Sequence, residues 1–339
     1  MISPNRPRLV DVARLAGVST ATASRALSNP DVVAEDTRKA VQSAAASCGY
    51  KINLVARSLR THRSQTLLVL VPGIDNNFYP EIISGLETGA LERGYSMILG
   101  FTGKDEAREQ AYLELLNARR ADGLIVVDDG LRSLNPQMLP PDVPTVHLLE
   151  AKSGRKTAAV HIDDEAAAFM ATRHLLDLGH RRIAHVSGRP SSEAASRRCT
   201  GYQRALATAG ICADPGLVLG GSYDLCAGYE AAASLLALTD PPTAVFCAND
   251  STAIGVLRHC KEQGRRVPQT MSVVGFDDVS DAALTDPPLT TIRQPRHQIG
   301  LSAIGAVMDI IDGRKDVVRD VILPHELVVR QSTAPPPHS

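Results

Sequence analysis

Five short polar clusters follow apolar runs along this chain: Asp75-Asn76-Asn77-Phe78-Tyr79, Asp128-Asp129, Asp163-Asp164, Asn249-Asp250 and Asp277-Asp278. Paired carboxylates can do acid–base work. Carboxylates beside Asn and Arg can equally hold the hydroxyls of a sugar, which needs no activated nucleophile. The rest of the sequence favours binding. It has no Gly-x-Ser-x-Gly elbow, no phosphate-binding Gly-x-x-x-x-Gly-Lys loop, no Gly-x-Gly-x-x-Gly after a first strand and no His-Glu-x-x-His, so no catalytic mechanism assembles. Neither an enzyme nor a cofactor is expected. The six cysteines, at 48, 199, 212, 226, 247 and 260, form no Cys-x-x-Cys pair and have no His at ligand spacing. That argues against a metal site or disulfide framework and for reduced, mostly buried thiols.

A second chemistry is written near the start, in VDVARLAGVSTATASRALSNP, Val10 to Pro30. Leu9 to Ala16 reads as a short helix stopped by Gly17, and Ser19 can cap a second helix from Thr20 to Leu27. Ala13 and Ala23 are small enough for the two helices to cross closely, as a helix-turn-helix requires. The outer face then carries Thr20, Ala21, Ser24 and Arg25. The Arg25 fork can pair with guanine O6 and N7 in a major groove, or hold a phosphate instead. A third helix, Glu35 to Cys48, is stopped by Gly49 and brings Thr37, Arg38 and Lys39 near its start. Charge agrees with nucleic acid as partner. Residues 1–63 hold ten Lys/Arg against four Asp/Glu, a net +6, and the remaining 26 basic and 33 acidic residues leave −7.

The elements that must position the polar clusters are apolar runs of four to six residues alternating with helical stretches: TLLVLV, SMILGF, GLIVVDD, TVHLL, AAVHID, RRIAHVSG, TAVFCAND and SVVGFDD. This pattern predicts doubly wound parallel sheets covered on both faces, with ligands at the carboxyl ends of the strands. The 339 residues suit two or three domains. No run of 18 apolar residues could span a bilayer and the first residues lack a signal-peptide core, so a cytoplasmic, membrane-free protein is expected.

DVARLAGVSTATASRALSNPDVV, followed by TRKAV, Gly49-Tyr50 and VARSL, closely resembles the DNA-binding head of the LacI/GalR transcriptional repressors. The resemblance implies DNA contacts from Ser19, Thr20, Ala21, Thr22, Ser24, Arg25, Asn29, Thr37 and Tyr50. It also implies a hinge that becomes helical on operator DNA and carries Asn53, Ala56, Arg57, Leu59 and Arg60. Leu59 takes the place of the leucine that wedges into the minor groove, an apolar wedge between Arg57, Arg60 and Arg63. Ile52 stands where many members have proline.

The remainder resembles the two-lobed periplasmic-binding-protein-like sensor of the same family, VVGFDDVSDAALTDPPLTTIRQP most closely. The expected division is a helix-turn-helix head over 1–51, a hinge over 52–63 and a sensing and dimerising body over 64–334. Lobe one takes 64–161 and 293–321, and lobe two takes 162–290 and 322–332. By family position the effector residues are Phe78, Tyr79 and Asp128 in lobe one and Arg198, Tyr223, Asp250 and Asp277 in lobe two. Phe78 and Tyr223 could sandwich a ring or pack in the core, and Arg198 could bind hydroxyls or form an ion pair.

Several stretches, VPGIDNNFYPEII and PPTAVFCAND among them, are more similar to the cytidine-repressor branch than to the lactose or purine branches. That implies a nucleoside or pentose effector, with another sugar or a sugar acid left open. The final RQSTAPPPHS is too short and proline-broken for a coiled coil. The expected assembly is a homodimer on a near-palindromic operator of double-stranded DNA. A sugar-transport component and an enzyme on a related fold are the alternatives.

Overall fold

The computed structural model describes residues 7–28, 30–51, 63–103, 105–128, 143–150, 157–314 and 319–337. The chain divides into two units, Met1–Ser64 and Gln65–Ser339.

Small residues set the geometry of the first unit. Helices α1 (Leu9–Leu15), α2 (Thr20–Ser28) and α3 (Glu35–Cys48) close around a core of Val12, Ala13, Ala23, Ala26, Val41, Ala44 and Ala45. With Ala at four or more of the meeting points, the helix axes approach closely. Gly17 and Gly49 adopt the left-handed backbone, φ 65° and 68°, that ends α1 and α3. The Thr22 amide donates to the Ser19 hydroxyl at 3.1 Å, the cap expected for α2.

The second unit contains two six-stranded sheets. The first lobe holds β1 (Thr66–Val71), α4 (Tyr79–Glu92), β2 (Ser96–Phe101), α5 (Glu106–Asn117), β3 (Gly123–Val127), β4 (Thr145–Leu148) and β5 (Ala158–Ile162). The chain then enters the second lobe through α6 (Asp164–Asp177), β6 (Ile183–Val186), α7 (Glu193–Thr208), β7 (Val218–Leu219), α8 (Leu225–Leu236), β8 (Ala244–Cys247), α9 (Asp250–Glu262), β9 (Ser272–Asp277) and β10 (Thr290–Arg293). It returns for α10 (Arg296–Ile311) and β11 (Asp320–Leu323), and crosses once more into β12 (Glu326–Val328).

The strand orders are β11-β5-β4-β3-β1-β2 and β12-β10-β9-β8-β6-β7. Strands β1, β3, β4 and β5 are buried along nearly their whole length, as expected of sheets covered on both faces.

Two details depart from the expectation. All pairs in the first sheet are parallel, but β12 runs antiparallel to β10. The cause is the crossover. β10 leaves the second lobe and β12 re-enters it, so these neighbours must run in opposite directions. The third crossing also falls after Leu323, two residues beyond the boundary read from the sequence, because Ile322 and Leu323 still pair with His161 and Ile162 of the first lobe. The cysteines correct a third expectation: only Cys247 and Cys260 are buried, Cys48 and Cys199 are half-buried, and Cys212 and Cys226 are exposed.

Candidate functional site

On the first unit the residues expected at DNA fall into two groups. Thr20, Ala21 and Arg25 are exposed along α2, with Ser24 half-buried between them. The Arg25 Nε reaches back to the Ala21 carbonyl at 3.4 Å, a long bond that leaves the rest of the fork outward. Thr22 and Tyr50 are half-buried and also serve the head's own structure. The Thr22 hydroxyl bonds Ser19 at 2.8 Å inside the cap, and Tyr50 packs against the three-helix core. Thr37 is half-buried near the start of α3. Asn29, Asn53, Ala56, Arg57, Leu59 and Arg60 lie outside the described residues.

In the second unit a cleft of about 880 Å³ opens between the lobes at the carboxyl ends of the strands. Phe78, Tyr79, Asp128, Arg198, Tyr223 and Asp277 all line it. Asp128, Leu149, Tyr223 and Asp277 carry positive φ (52°, 69°, 68° and 114°), and each lines the cleft. Non-glycine residues hold this backbone only where surrounding contacts impose it, and such residues concentrate at functional sites.

Each expected side chain has a specific support. Phe78 and Tyr79 stand edge to face, centroids 5.6 Å apart, where β1 feeds α4, and both also pack into the first lobe's core. The Tyr79 hydroxyl donates to Asp128 at 3.0 Å. From the second lobe, Arg189 donates to the same Asp128 oxygen at 3.3 Å and lies 5.1 Å from the centre of the Tyr223 ring. Tyr223 is held by a bond between its hydroxyl and Ser192 and by the Asn249 side chain, which donates to its carbonyl at 2.9 Å. Gly188 lies beneath, where a Cβ would overlap the tyrosine ring.

Arg198 resolves into an ion pair that faces the cleft. Its Nε donates to Asp164 at 2.7 Å, its NH1 donates to the Ala248 carbonyl at 2.6 Å, and its plane lies 3.7 Å from the centre of the Phe276 ring. Burial works against the guanidinium charge, but Asp164, Tyr223 and Asp277 together hold it protonated beyond its ordinary range. Burial pushes the Asp164 carboxyl up, and Arg198 offsets this only in part. Asp277 is likewise pushed up to about 7 by burial, against the pull of Arg198 and of Gln294, whose amide donates to it at 2.8 Å.

Asp250 is not brought to the cleft. It is fully buried behind the wall, accepting from the Thr291 hydroxyl at 2.6 Å and the Val279 amide at 2.8 Å. There it fixes the turn after β9 that presents Asp277. Its neighbour Asn249 faces the cleft instead. Arg189, Ser192 and Gln294 are residues that sequence reasoning did not single out, and Asn249 was read only as part of the Asn249-Asp250 cluster. The first two sit in GRPSSE, after the RRIAHVSG run, where their position past a strand end was the available signal. Among the described residues no group of His, Cys, Asp and Glu is arranged to hold a metal ion, and no helix is long and apolar enough to cross a membrane.

Comparison with known proteins matches both modules. Residues 8–53 fit the family described as bacterial regulatory proteins, lacI family, and residues 172–333 fit a periplasmic binding protein-like domain. The HTH-type transcriptional repressor CytR of Escherichia coli (strain K12) is 38% identical over 326 residues, 95% of each chain. The HTH-type transcriptional repressor PurR of Vibrio atlanticus (strain LGP32) is 34% identical over 95% of this chain and 97% of its own. The lac repressor dimer bound to operator and the anti-inducer ONPF superposes with a TM-score of 0.84 at 28% identity, covering 97% of this chain and 100% of that one. A CelR–cellobiose complex gives a TM-score of 0.72 at 32% identity over 96% and 100%. With both modules matched and relatives similar from end to end, the chain belongs to the LacI family, whose members are DNA-binding transcriptional repressors controlled by a small ligand and not enzymes.

Proposed function

We propose that this regulator binds a near-palindromic operator as a homodimer, and that a nucleoside or pentose held between the lobes sets its operator affinity. The observation that carries the ligand half is the meeting of Asp128, Arg189, Tyr223, Arg198 and Asp277 in one cleft, with three of the five on imposed left-handed backbone. An aromatic shelf beside hydrogen-bonded carboxylates suits a flat ring joined to hydroxyls. Phe78 supplies a second aromatic from the opposite lobe. The dimer is carried over from the lac repressor relative, a dimer on operator DNA. A cytoplasmic location fits a protein that acts on DNA.

On the head, the exposed face of α2 reads bases. Arg25 supplies the specific contact, Thr20 and Ala21 offer a hydroxyl and a methyl, and the +6 charge of residues 1–63 draws in the phosphates. Leu59 is the minor-groove wedge of this reading, outside the described residues.

Calorimetry with cytidine, adenosine, uridine and ribose, followed by operator-fragment anisotropy with each ligand that binds, tests the switch. Binding that shifts DNA affinity supports it and gives the sign of coupling. Heat without any shift overturns the switch, and no heat overturns the nucleoside or pentose assignment. Arg25→Ala should lose about 10- to 100-fold on operator with random-sequence binding largely kept, and equal losses on both DNAs would remove the base-reading role.

A further inference from the structure

The cleft wall is rich in acceptors and poor in available cations. Six carboxylates line it, Asp75, Asp128, Asp164, Asp224, Asp277 and Asp281, against three guanidinium groups. Two of those guanidinium groups are engaged by the wall itself. Arg198 is spent on Asp164, the Ala248 carbonyl and the Phe276 ring, and Arg189 on Asp128 above the Tyr223 ring. Arg108 is exposed at the rim, where solvent screens it.

Helix N-termini also converge here, and uncapped they would attract an anion. Side chains cap most of them. Asp105 accepts from Ala107 and Arg108 at α5 and Ser192 from Ala195 at α7, whereas α4 carries no side-chain cap. Asp224 accepts from Ala227 at α8 and Asn249 from Thr252 at α9. These caps take up part of the amide donors that an anion would use, whereas carboxylate oxygens retain lone pairs for hydroxyl donors.

We infer that the cleft admits an uncharged, hydroxyl-rich effector and rejects the phosphorylated or carboxylated form of the same scaffold. The regulator then reports its ligand before the phosphoryl transfer or oxidation that would charge it. The inference rests on the cleft being the effector site. A phosphate or carboxylate, acceptor-only near pH 7, would meet like charge without a spare cation, whereas a sugar or nucleoside hydroxyl donates to the carboxylates.

The test pairs neutral and charged ligands: cytidine with cytidine 5′-monophosphate, and ribose with ribose 5-phosphate and ribonate. Calorimetry on the full chain should find each charged counterpart at least roughly 100-fold weaker than its neutral scaffold. Equal or tighter binding of a charged counterpart would overturn the inference. Inorganic phosphate supplies a second arm that needs no identified effector. Thermal unfolding of the wild type and of Arg189→Gln is followed in phosphate and in chloride of matched ionic strength. The two proteins should respond alike, and a saturable phosphate stabilisation lost in Arg189→Gln would overturn the charge rule. If none of the neutral ligands binds, the nucleoside or pentose reading fails, and the phosphate arm still decides whether the wall excludes anions.

Discussion

Replacing Arg198 by methionine separates the two roles the sequence leaves open for it. The Arg198 and Asp164 side chains are only 9% and 5% exposed, and their contact of 2.7 Å is a charge-assisted bond shielded from solvent. Methionine fills much of the volume but leaves Asp164 buried without its cation, a change that costs about 3–5 kcal/mol where one partner of a buried pair is removed. Total stabilities run roughly 5–15 kcal/mol, so this is a large share. Removing both charges, in Arg198→Met with Asp164→Leu, should recover most of the loss, because the double variant leaves no uncompensated carboxylate.

Acidity adds a signed check. Burial already holds the Asp164 carboxyl above its ordinary range, and losing Arg198 moves it higher still. The folded state then keeps its proton to higher pH than the unfolded state, so the single variant should gain stability as pH falls and lose it as pH rises. Urea unfolding across pH 5–8 measures each quantity. A loss under about 1 kcal/mol in the single variant, or a double variant less stable than the single, would refute the account of a structural ion pair.

Two further perturbations address the rest of the cleft. Gly188→Ala places a Cβ on the Tyr223 ring at Cζ, Oη and Cε1, so the ring must leave its shelf; about 1–3 kcal/mol of stability should go with it, and effector affinity should fall at least about tenfold, while wild-type behaviour in both assays would disprove the shelf. Asp277, held up to about 7, keeps its proton in the fold where the unfolded chain has lost it, so stability should fall as pH rises from roughly 4 to 7, by at most about 1.4 kcal/mol per unit. Asp277→Asn should flatten that slope in pH-dependent urea titrations, and an unchanged slope would take the raised carboxyl out of the picture.

How much of this was legible beforehand depends on how each feature is encoded. TLLVLV and GLIVV coincide with β1 and β3, because a strand buried on both faces is written as an unbroken apolar run. The C-terminal edge strands are not. β11 (DVIL) and β12 (ELV) hold only exposed and half-buried residues and owe their place to pairing with β5 and β10, a long-range fact. The cleft followed the same division. Asp128, Tyr223 and Asp277 stand at strand ends or in the loops beside them, and position alone points to them. Asn249 and Asp250 are adjacent in the chain and face opposite ways, the first into the cleft and the second into the core. No local pattern tells which neighbour turns inward, because the choice is made by Thr291 and Val279 some tens of residues away.

The arrangement of the two lobes rests on a few polar bonds that join surfaces with separate cores. Arg189 of the second lobe reaches Asp128 of the first, Asn77 of the first donates to Asp281 of the second at 2.7 Å, and Arg296 at the start of α10 donates to the Asp278 carbonyl at 2.9 Å. Val279 adds an apolar contact by packing into the first lobe's core. Hydrogen bonds to charged groups contribute about 1.5–3 kcal/mol each. Taking a two-state equilibrium from 1:99 to 99:1 needs about 5.5 kcal/mol of differential binding. Two or three such bonds, remade through a ligand, are therefore of the right size to reset the lobes, whereas either lobe's buried apolar core is far too large to rearrange at that energy. Asp128 and Arg189 line the cleft and also join the lobes. A hydroxyl that bonds Asp128 thus competes with or extends the bridge itself, which makes ligand recognition and lobe arrangement one equilibrium.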